Sequence, residues 1–355
     1  MTSIPHSQFD RRRFLGLVGA VGMTAPLLAA CGGGSGSGTS PTSTGPSSFA
    51  PPRQTVRGNL QLGWFPNVES APFVVAKQRG YYSAGHVDLT LQPGGPTVTI
   101  APLIVAGNAL TGVLAIERLA DAVLQGAKLK AVGAVYQTSS SCILSLAKAP
   151  IQEPKDLEGK RFGISAADAQ TYGAFFKMSG VDPSKVTMVQ VGADPASLVS
   201  GEVDAMSAVI PNQPVALAQK GIKTHELHLA DFGYHRWSSL LVVAADALAD
   251  PVKRSAIGVI LQGSQRALTE QMADPDAAAK IVFDLYGQNQ GLDLSSQQAA
   301  IRRWNEIAST PEQHGHLRVT PQGVQQTQEF LSAIGVKIDA SSLFDTSLGD
   351  EVFHA

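Results

Sequence analysis

The sequence predicts an α/β protein of two lobes, each a mostly parallel sheet flanked by helices, with two crossings of the chain joining them. Three observations predict it. Short apolar runs alternate with longer stretches of helical period, the pattern of parallel strands covered by helices. Two runs of similar length and character, Cys142–Ala147 and Leu240–Ala245, bracket a self-contained group of strands and helices. After Pro251 the strand pattern stops and helical periodicity alone continues to Ile334.

In chain order the expected strands are Asn59–Trp64, Val87–Leu91, Leu110–Leu114, Leu129–Tyr136, Cys142–Ala147, Arg161–Ile164, Val186–Val191, Val203–Ile210 and Leu240–Ala245. Each is a short apolar or alternating run, and helical spacing fills the gaps: Ala71–Arg79, Val98–Ala106, Arg118–Gln125, Ala169–Ser179, Pro195–Ser200 and Gln213–Lys220. From Pro251 onward four helices are expected, with breaks at Asp274-Pro275, Gly287–Gly291 and Thr310-Pro311, because proline and glycine interrupt the helical ladder. One lobe then holds residues 55–141 plus 240–355, and the other holds 142–239 with the hinge segments. A cleft between such lobes is a favoured ligand site, and two narrow crossings act as its hinge.

The first 54 residues carry a different message. Arg11-Arg12-Arg13 precede Phe14-Leu15 and a short apolar segment that ends in Leu28-Ala29-Ala30-Cys31. That apolar part is shorter than the roughly 20 residues a helix needs to cross a bilayer, so residues 1–30 read as a cleaved export signal. Arg11 and Arg12 with Phe14-Leu15 resemble the twin-arginine pattern, and the small residues before Cys31 resemble a lipobox, which makes Cys31 the expected site of lipid attachment. Residues 31–54 are rich in Gly, Ser, Thr and Pro, a composition that buries no core and serves as a disordered tether. The expected location is the outer face of the cell membrane, reached through the lipid anchor alone.

The chain has 355 residues, 44% of them hydrophobic and 16% charged, with a formal net charge of −2. Beyond the export signal no block of basic residues occurs, which argues against nucleic acid as a partner. There are two cysteines. With Cys31 lipidated, Cys142 has no partner for a disulfide, and between Ser141 and Ile143 it reads as buried filler rather than a nucleophile.

Motifs add a resemblance. Gly63 to Pro96, GWFPNVESAPFVVAKQRGYYSAGHVDLTLQPGGP, is similar to the opening of substrate-binding receptors that feed ABC importers of thiamine pyrimidine precursors, alkanesulfonates or nitrate. The turn Trp64-Phe65-Pro66-Asn67 resembles the Trp-x-Pro-Asn of the pyrimidine-precursor branch. Pro154–Ser165 and Gly201–Ala205 resemble later segments of the same receptors. The resemblance implies a periplasmic-binding-protein type II fold, a small-molecule ligand, permease subunits as partners and a monomer, without enzymatic turnover, cofactor or metal. The chain departs from the pyrimidine branch where it has Gly63, Ser70 and Leu110 in place of aspartate, histidine and aspartate.

In open parallel sheets ligands bind beyond the carboxyl ends of the strands. That rule selects Trp64, Asn67 and Glu69, then Gly94, Gly95 and Thr97, then Glu117, then Tyr136 with Gln137. From the second lobe it selects Asp168, Tyr172 and Asn212, and from the return segment Tyr234 and Arg236. Trp64 offers a flat face for stacking, or else closes the core at a strand end. Asn67 can donate and accept, and is equally a turn former. Gly94 and Gly95 allow a close backbone approach or form a plain turn. Glu117 and Asp168 can accept from amines or serve as helix-start charges, and Tyr172 and Tyr234 are candidates for covering the other face of a ring.

A nitrate or sulfonate needs convergent positive charge, and Arg118 and Arg236 alone lie near expected strand ends. The expected ligand is therefore an aromatic heterocycle, with an aminopyrimidine thiamine precursor first, riboflavin second and sulfonates third. His225, His228 and His235 show no metal-ligand spacing with acids or cysteine. Gly-x-Ser-x-Gly and His-Glu-x-x-His are absent from the sequence, so hydrolase chemistry has no visible residues. A sensor lipoprotein without transport is the reading from another functional class.

Overall fold

A computed structural model describes residues 49–166, 168–308 and 316–353. The export and lipidation residues Arg11, Arg12 and Cys31 lie outside the described residues, as does the expected break at Thr310-Pro311. Ten strands form two five-stranded sheets. The first sheet contains β1 (Val56–Gln61), β2 (Val87–Gln92), β3 (Thr111–Leu114), β4 (Leu129–Tyr136) and β10 (Ser238–Ala244), in the order β2-β1-β3-β10-β4. The second contains β5 (Ser141–Leu146), β6 (Arg161–Ile164), β7 (Thr187–Gln190), β8 (Ala205–Val209) and β9 (Thr224–His228), in the order β7-β6-β8-β5-β9.

Helices cover both sheets. In the first half of the chain they are α1 (Ala71–Gln78), α2 (Tyr81–Ala84), α3 (Ile100–Val105), α4 (Ile116–Leu124), α5 (Ala169–Ser179), α6 (Ala196–Val199) and α7 (Gln213–Gln219). The second half adds α8 (Ala245–Ala249), α9 (Pro251–Ala273), α10 (Pro275–Val282), α11 (Leu294–Ala308), α12 (Pro321–Ala333) and α13 (Ser347–Phe353). The starts of α9, α10 and α12 share one device. Asp250, Asp274 and Thr320 each accept a hydrogen bond from the first turn while a proline opens the helix, so orphan donors are satisfied and φ is preset.

The sheets are mostly parallel, as expected, with one reversed strand in each. β1 runs parallel to β2 and β3, and β6 parallel to β7 and β8, whereas β10 is antiparallel to β3 and β4, and β5 antiparallel to β8 and β9. The two exceptions are the strands on which the chain arrives after crossing from one sheet to the other. A chain that leaves one sheet at the cleft enters the next from the cleft side, so its first strand runs away from the cleft, against its neighbours. Both faces of these arriving strands are buried. Leu241 and Val243 join one core cluster while Leu240 and Val242 join another, and Cys142 and Leu144 likewise face away from Ile143.

The crossings are tied to each other and to the C-terminal helices. The Ser140 amide donates to Ser238 Oγ at 3.2 Å, and the Gln137 amide donates to the Ile307 carbonyl at 2.8 Å. The helices after β10 touch both sheets' surroundings. α9 packs on α1, while α11 contacts α7 and α12 contacts α5. Arg303 of α11 grips Glu226 of β9 at 2.8 Å, and Gln170 of α5 donates to Asp121 of α4 at 3.2 Å.

Candidate functional site

Between β1 and α1 the chain makes a tight turn. Asn67 Oδ1 accepts from the Glu69 amide at 2.8 Å, and the Asn67 carbonyl accepts from the amide and the hydroxyl of Ser70 at 3.0 and 2.8 Å. This turn locks a short 3-10 segment, Val68–Ser70, in front of the buried helix α1. The carboxamide oxygen of Asn67 is thereby committed to its own backbone, the turn-forming alternative for that residue. Ahead of the turn Trp64 and Phe65 stand out at 39% and 48% exposure, edge to face with ring centres 5.6 Å apart. Both rings are thus partly open to solvent.

Gly94 and Gly95 explain how that pair is held. A Cβ on Gly94 would lie 2.3 Å from the Leu62 carbonyl oxygen, and one on Gly95 would lie 3.1 Å from the Phe65 ring. The Gly94 amide donates to the Trp64 carbonyl at 3.0 Å. The glycine pair thus lets the β2 turn press against the aromatic loop, and the close approach it permits is to protein backbone.

Behind Trp64 and Phe65 lies a narrow, open recess lined by Leu62, Glu69, Phe73, Val113, Val135 and Ser239 besides the two rings. Glu69 is the single ionisable side chain in that lining. Burial pushes its carboxyl up to about 7, with the Ser239 hydroxyl pulling the other way. Ser239 Oγ lies 3.5 Å from Glu69 Oε1. Ser239 itself has φ +60°, a left-handed backbone that a non-glycine residue rarely adopts, two residues ahead of the register shift between Leu241 and Val242 where β10 pairs with β4. Beneath the turn, Tyr136 is fully buried, its hydroxyl donating to the Glu69 carbonyl at 2.6 Å and its ring stacked 4.3 Å from Trp304. Tyr136 therefore supports Glu69 from below, and both of its ring faces are in the protein interior.

The model of one family matches residues 67–278 of this chain, under the description NMT1/THI5 like. The chain belongs to the NMT1/THI5-like family. Two curated relatives align over most of their length. The riboflavin-binding protein RibY of Chloroflexus aurantiacus is 24% identical over 335 residues, 87% of this chain and 90% of that one. A Haemophilus influenzae protein that carries a thiamine-biosynthesis name is 24% identical over 291 residues, 78% of this chain and 87% of that one. Among solved structures, the aliphatic sulphonate binding protein SsuA of Escherichia coli superposes with a TM-score of 0.63 at 16% identity, over 82% of this chain and 92% of that one. The desulfurization enzyme DSZB superposes at 0.54 and 14% identity, over 84% and 99%. These likenesses establish the two-lobed periplasmic-binding-protein type II fold. They leave the activity to be argued from the site.

Within this family fold, three other sequence-selected residues form a second cluster. Glu117, at the start of α4, accepts from the Tyr234 hydroxyl at 2.8 Å and pairs with Arg236 Nε at 3.2 Å, all withdrawn from solvent. The Arg236 guanidinium sits 5.5 Å from the centre of the Tyr234 ring. Tyr234 is itself wedged between Phe175 of α5 and Phe330 of α12, at 6.1 and 4.8 Å. With its ring enclosed on these sides Tyr234 is a core residue and offers no open face for a ligand. Arg236 is likewise committed, its charge answered by Glu117.

The remaining candidates lie apart. Asp168 accepts from Ser165 and Ser207 hydroxyls at 2.7 and 2.9 Å in the second lobe. Tyr172 is buried against Phe162, with its hydroxyl donating to the Cys142 carbonyl and accepting from the Ala208 amide at 3.1 Å, so its ring belongs to that lobe's core. Thr97 and Asn212 are exposed and outside the recess. Cys142 is buried, and its thiol is pushed well up by that burial. The sequence argument missed Phe65, Ser70, Phe73 and Ser239. An aromatic beside a tryptophan reads as core, and the backbone strain of Ser239 has no signature in residue type.

Proposed function

We propose that this chain is an extracytoplasmic solute-binding receptor of an ABC importer, and that it captures a flat, uncharged aromatic heterocycle by closure of its two lobes. One observation carries the ligand class. The recess is walled in part by aromatic rings, its sole ionisable group is an acid, and Arg236, a cation the sequence had selected, is outside its lining and paired with Glu117. A desolvated nitrate or sulfonate would meet no positive charge there, at a penalty of several kcal/mol. Trp64 and Phe65 supply stacking area, and Glu69 and Ser239 supply hydrogen bonds to a ring edge.

Riboflavin is the first ligand to test. Support comes from the relative aligned over 87% of the chain, which is named for riboflavin binding, and from the chain's Gly63, Ser70 and Leu110, which stand where the pyrimidine branch has other residues. An aminopyrimidine thiamine precursor is second, supported by the family match and by the thiamine-named relative. Calorimetry against riboflavin, formylaminopyrimidine, taurine and nitrate discriminates the readings. Heat with a ring compound and recovery of that compound unchanged supports a receptor. Binding of taurine or nitrate with none of either ring compound overturns the ligand class, and chemical conversion of a bound ring overturns the receptor in favour of an enzyme.

Anchoring belongs to the same proposal. Cys31 carries the lipid, Arg11 and Arg12 direct export, and the lobes comprise residues 55–141 plus 240–355 and 142–239, working as a monomer beside the permease. A Cys31→Ala chain is expected in the culture medium rather than the membrane fraction.

A further inference from the structure

Resting on the receptor reading above, we propose that the Glu69 side chain reads the edge of the bound ring as a paired donor and acceptor. The site then selects heterocycles that carry an acceptor and an N–H side by side, and binding above neutral pH takes up one proton.

The geometry isolates this carboxyl for such a role. The backbone of its turn is fixed on every side. The Glu69 amide donates to Asn67 Oδ1, its carbonyl accepts from Tyr136, and the preceding Val68 amide donates to Gln297 Oε1 of α11 at 3.2 Å. The side chain is the part left over, and it lines the recess behind Trp64 and Phe65. Its one hydrogen bond among the described residues is the long contact to Ser239. A half-buried carboxyl with so weak a partner retains most of its hydrogen-bonding capacity for a guest.

Charged groups on the elements packed around it are committed elsewhere. On α11, Arg302 pairs with Asp276 and Arg303 with Glu226 and Glu306. On α10, Lys280 pairs with Asp284 just beyond the helix, and Asp276 is taken by Arg302. Lys77 lies in the last turn of α1, away from the turn at Glu69. From β4 the facing group is the Tyr136 phenol, which burial keeps protonated, and from β10 it is the Ser239 hydroxyl. Among the described residues no cation therefore holds Glu69 ionised, and burial favours its neutral form. A neutral carboxyl presents O–H and C=O together. Its O–H donates to a ring carbonyl or ring nitrogen while its C=O accepts the neighbouring N–H, a two-bond pairing that an imide edge and an aminopyrimidine edge both satisfy.

The test is riboflavin binding, followed by calorimetry from pH 6 to 9, for the full chain and for Glu69→Gln and Glu69→Ala. The wild-type affinity is expected to fall with a slope approaching tenfold per pH unit above about pH 7, with close to one proton taken up at pH 8 in buffers of different ionisation heat. Glu69→Gln keeps a donor beside an acceptor at every pH, so it should bind with a flat profile. Glu69→Ala should bind about 10- to 100-fold more weakly throughout. Riboflavin methylated at its imide nitrogen should lose affinity for the wild type and none for Glu69→Ala. A wild-type profile as flat as that of Glu69→Gln, or Glu69→Ala binding as wild type does, overturns this inference alone. If neither riboflavin nor formylaminopyrimidine binds the wild type at any pH, the receptor reading falls with it.

Discussion

Glu117 is a buried acid and Glu69 a half-buried one, and they sit in opposite electrostatic company. Glu117 has a guanidinium at 3.2 Å and a phenol at 2.8 Å, in a pocket sealed by Phe175 and Phe330 through Tyr234. Glu69 has a single distant hydroxyl and opens on a recess flanked by two exposed rings. The first acid has a countercharge inside the protein, although Glu117 Oε2 and Arg236 Nε make no hydrogen bond there, and the second has no charged partner among the described residues. An acid beside a recess is thus no guide to ligand chemistry until its partners are counted: Glu117 is matched in charge, and Glu69 has a long hydroxyl contact alone.

The sharpest way to break this contrast is to remove the acid from the charge-paired cluster. Glu117→Ala leaves a buried guanidinium unpaired and is expected to lower unfolding stability by about 3–5 kcal/mol in a denaturant titration. Replacing both partners, Glu117→Gln with Arg236→Met, should recover much of that loss, because no charge is then stranded. Equal loss in the single and double variants would show that packing around Tyr234, and not charge compensation, holds the cluster.

Trp64→Ala probes the other region. At 39% exposure the ring contributes little to the core, so the thermal midpoint should move by no more than a degree or two while riboflavin binding weakens by about 2 kcal/mol, some thirtyfold. A variant that unfolds well below the wild type would assign Trp64 to the core after all.

Glu69 also makes stability depend on pH. The Glu69 carboxyl rises from its ordinary 4.5 to about 7 on folding, so the folded chain binds the proton more tightly than the unfolded one. Its contribution to stability is present in full below pH 4.5 and is lost as pH climbs through 7. The full shift would amount to about 3 kcal/mol, and because the side chain retains partial contact with solvent we expect about 1–2 kcal/mol. Unfolding measured at pH 4.5 and 7.5 should therefore show a larger decline for the wild type than for Glu69→Gln. Parallel declines would mean that Glu69 is solvated and ordinary.

How much of this was legible in the sequence depends on which force decides each element. β4 and β6 and helix α5 occur with the bounds expected from apolar pattern alone, since each carries its own hydrophobic run. β1 was expected at Asn59–Trp64 and lies at Val56–Gln61. Pairing with β2 over six residues sets its register, and the apolar weight of Leu62 and Trp64 had drawn the window forward. β9, Thr224–His228, escaped notice because it is an edge strand with one buried residue, Leu227, and two histidines. In the site, Trp64 and Glu69 were selected by their position after a strand. Tyr136, Tyr172 and Tyr234 satisfied the same rule and proved to be enclosed, because nothing local distinguishes a tyrosine that closes a core from one that lines a cleft.

Ser239 offers the smallest effect and the finest test. A serine held at φ +60° costs on the order of 1 kcal/mol relative to glycine, which adopts that conformation freely. Ser239→Gly should therefore raise the unfolding free energy by a few tenths to about 1 kcal/mol, less the weak hydrogen bond to Glu69 that it deletes. If the strained backbone exists to aim the hydroxyl into the recess, the stabilised variant should bind riboflavin several-fold more weakly, because Glu69 then loses the one group that fixes its orientation. Strain maintained at a binding surface at the expense of stability is what a selected orientation would leave behind. A variant that gains stability and binds as well as the wild type would show that the Ser239 hydroxyl plays no part in binding, and Glu69 would have to be oriented by the guest itself.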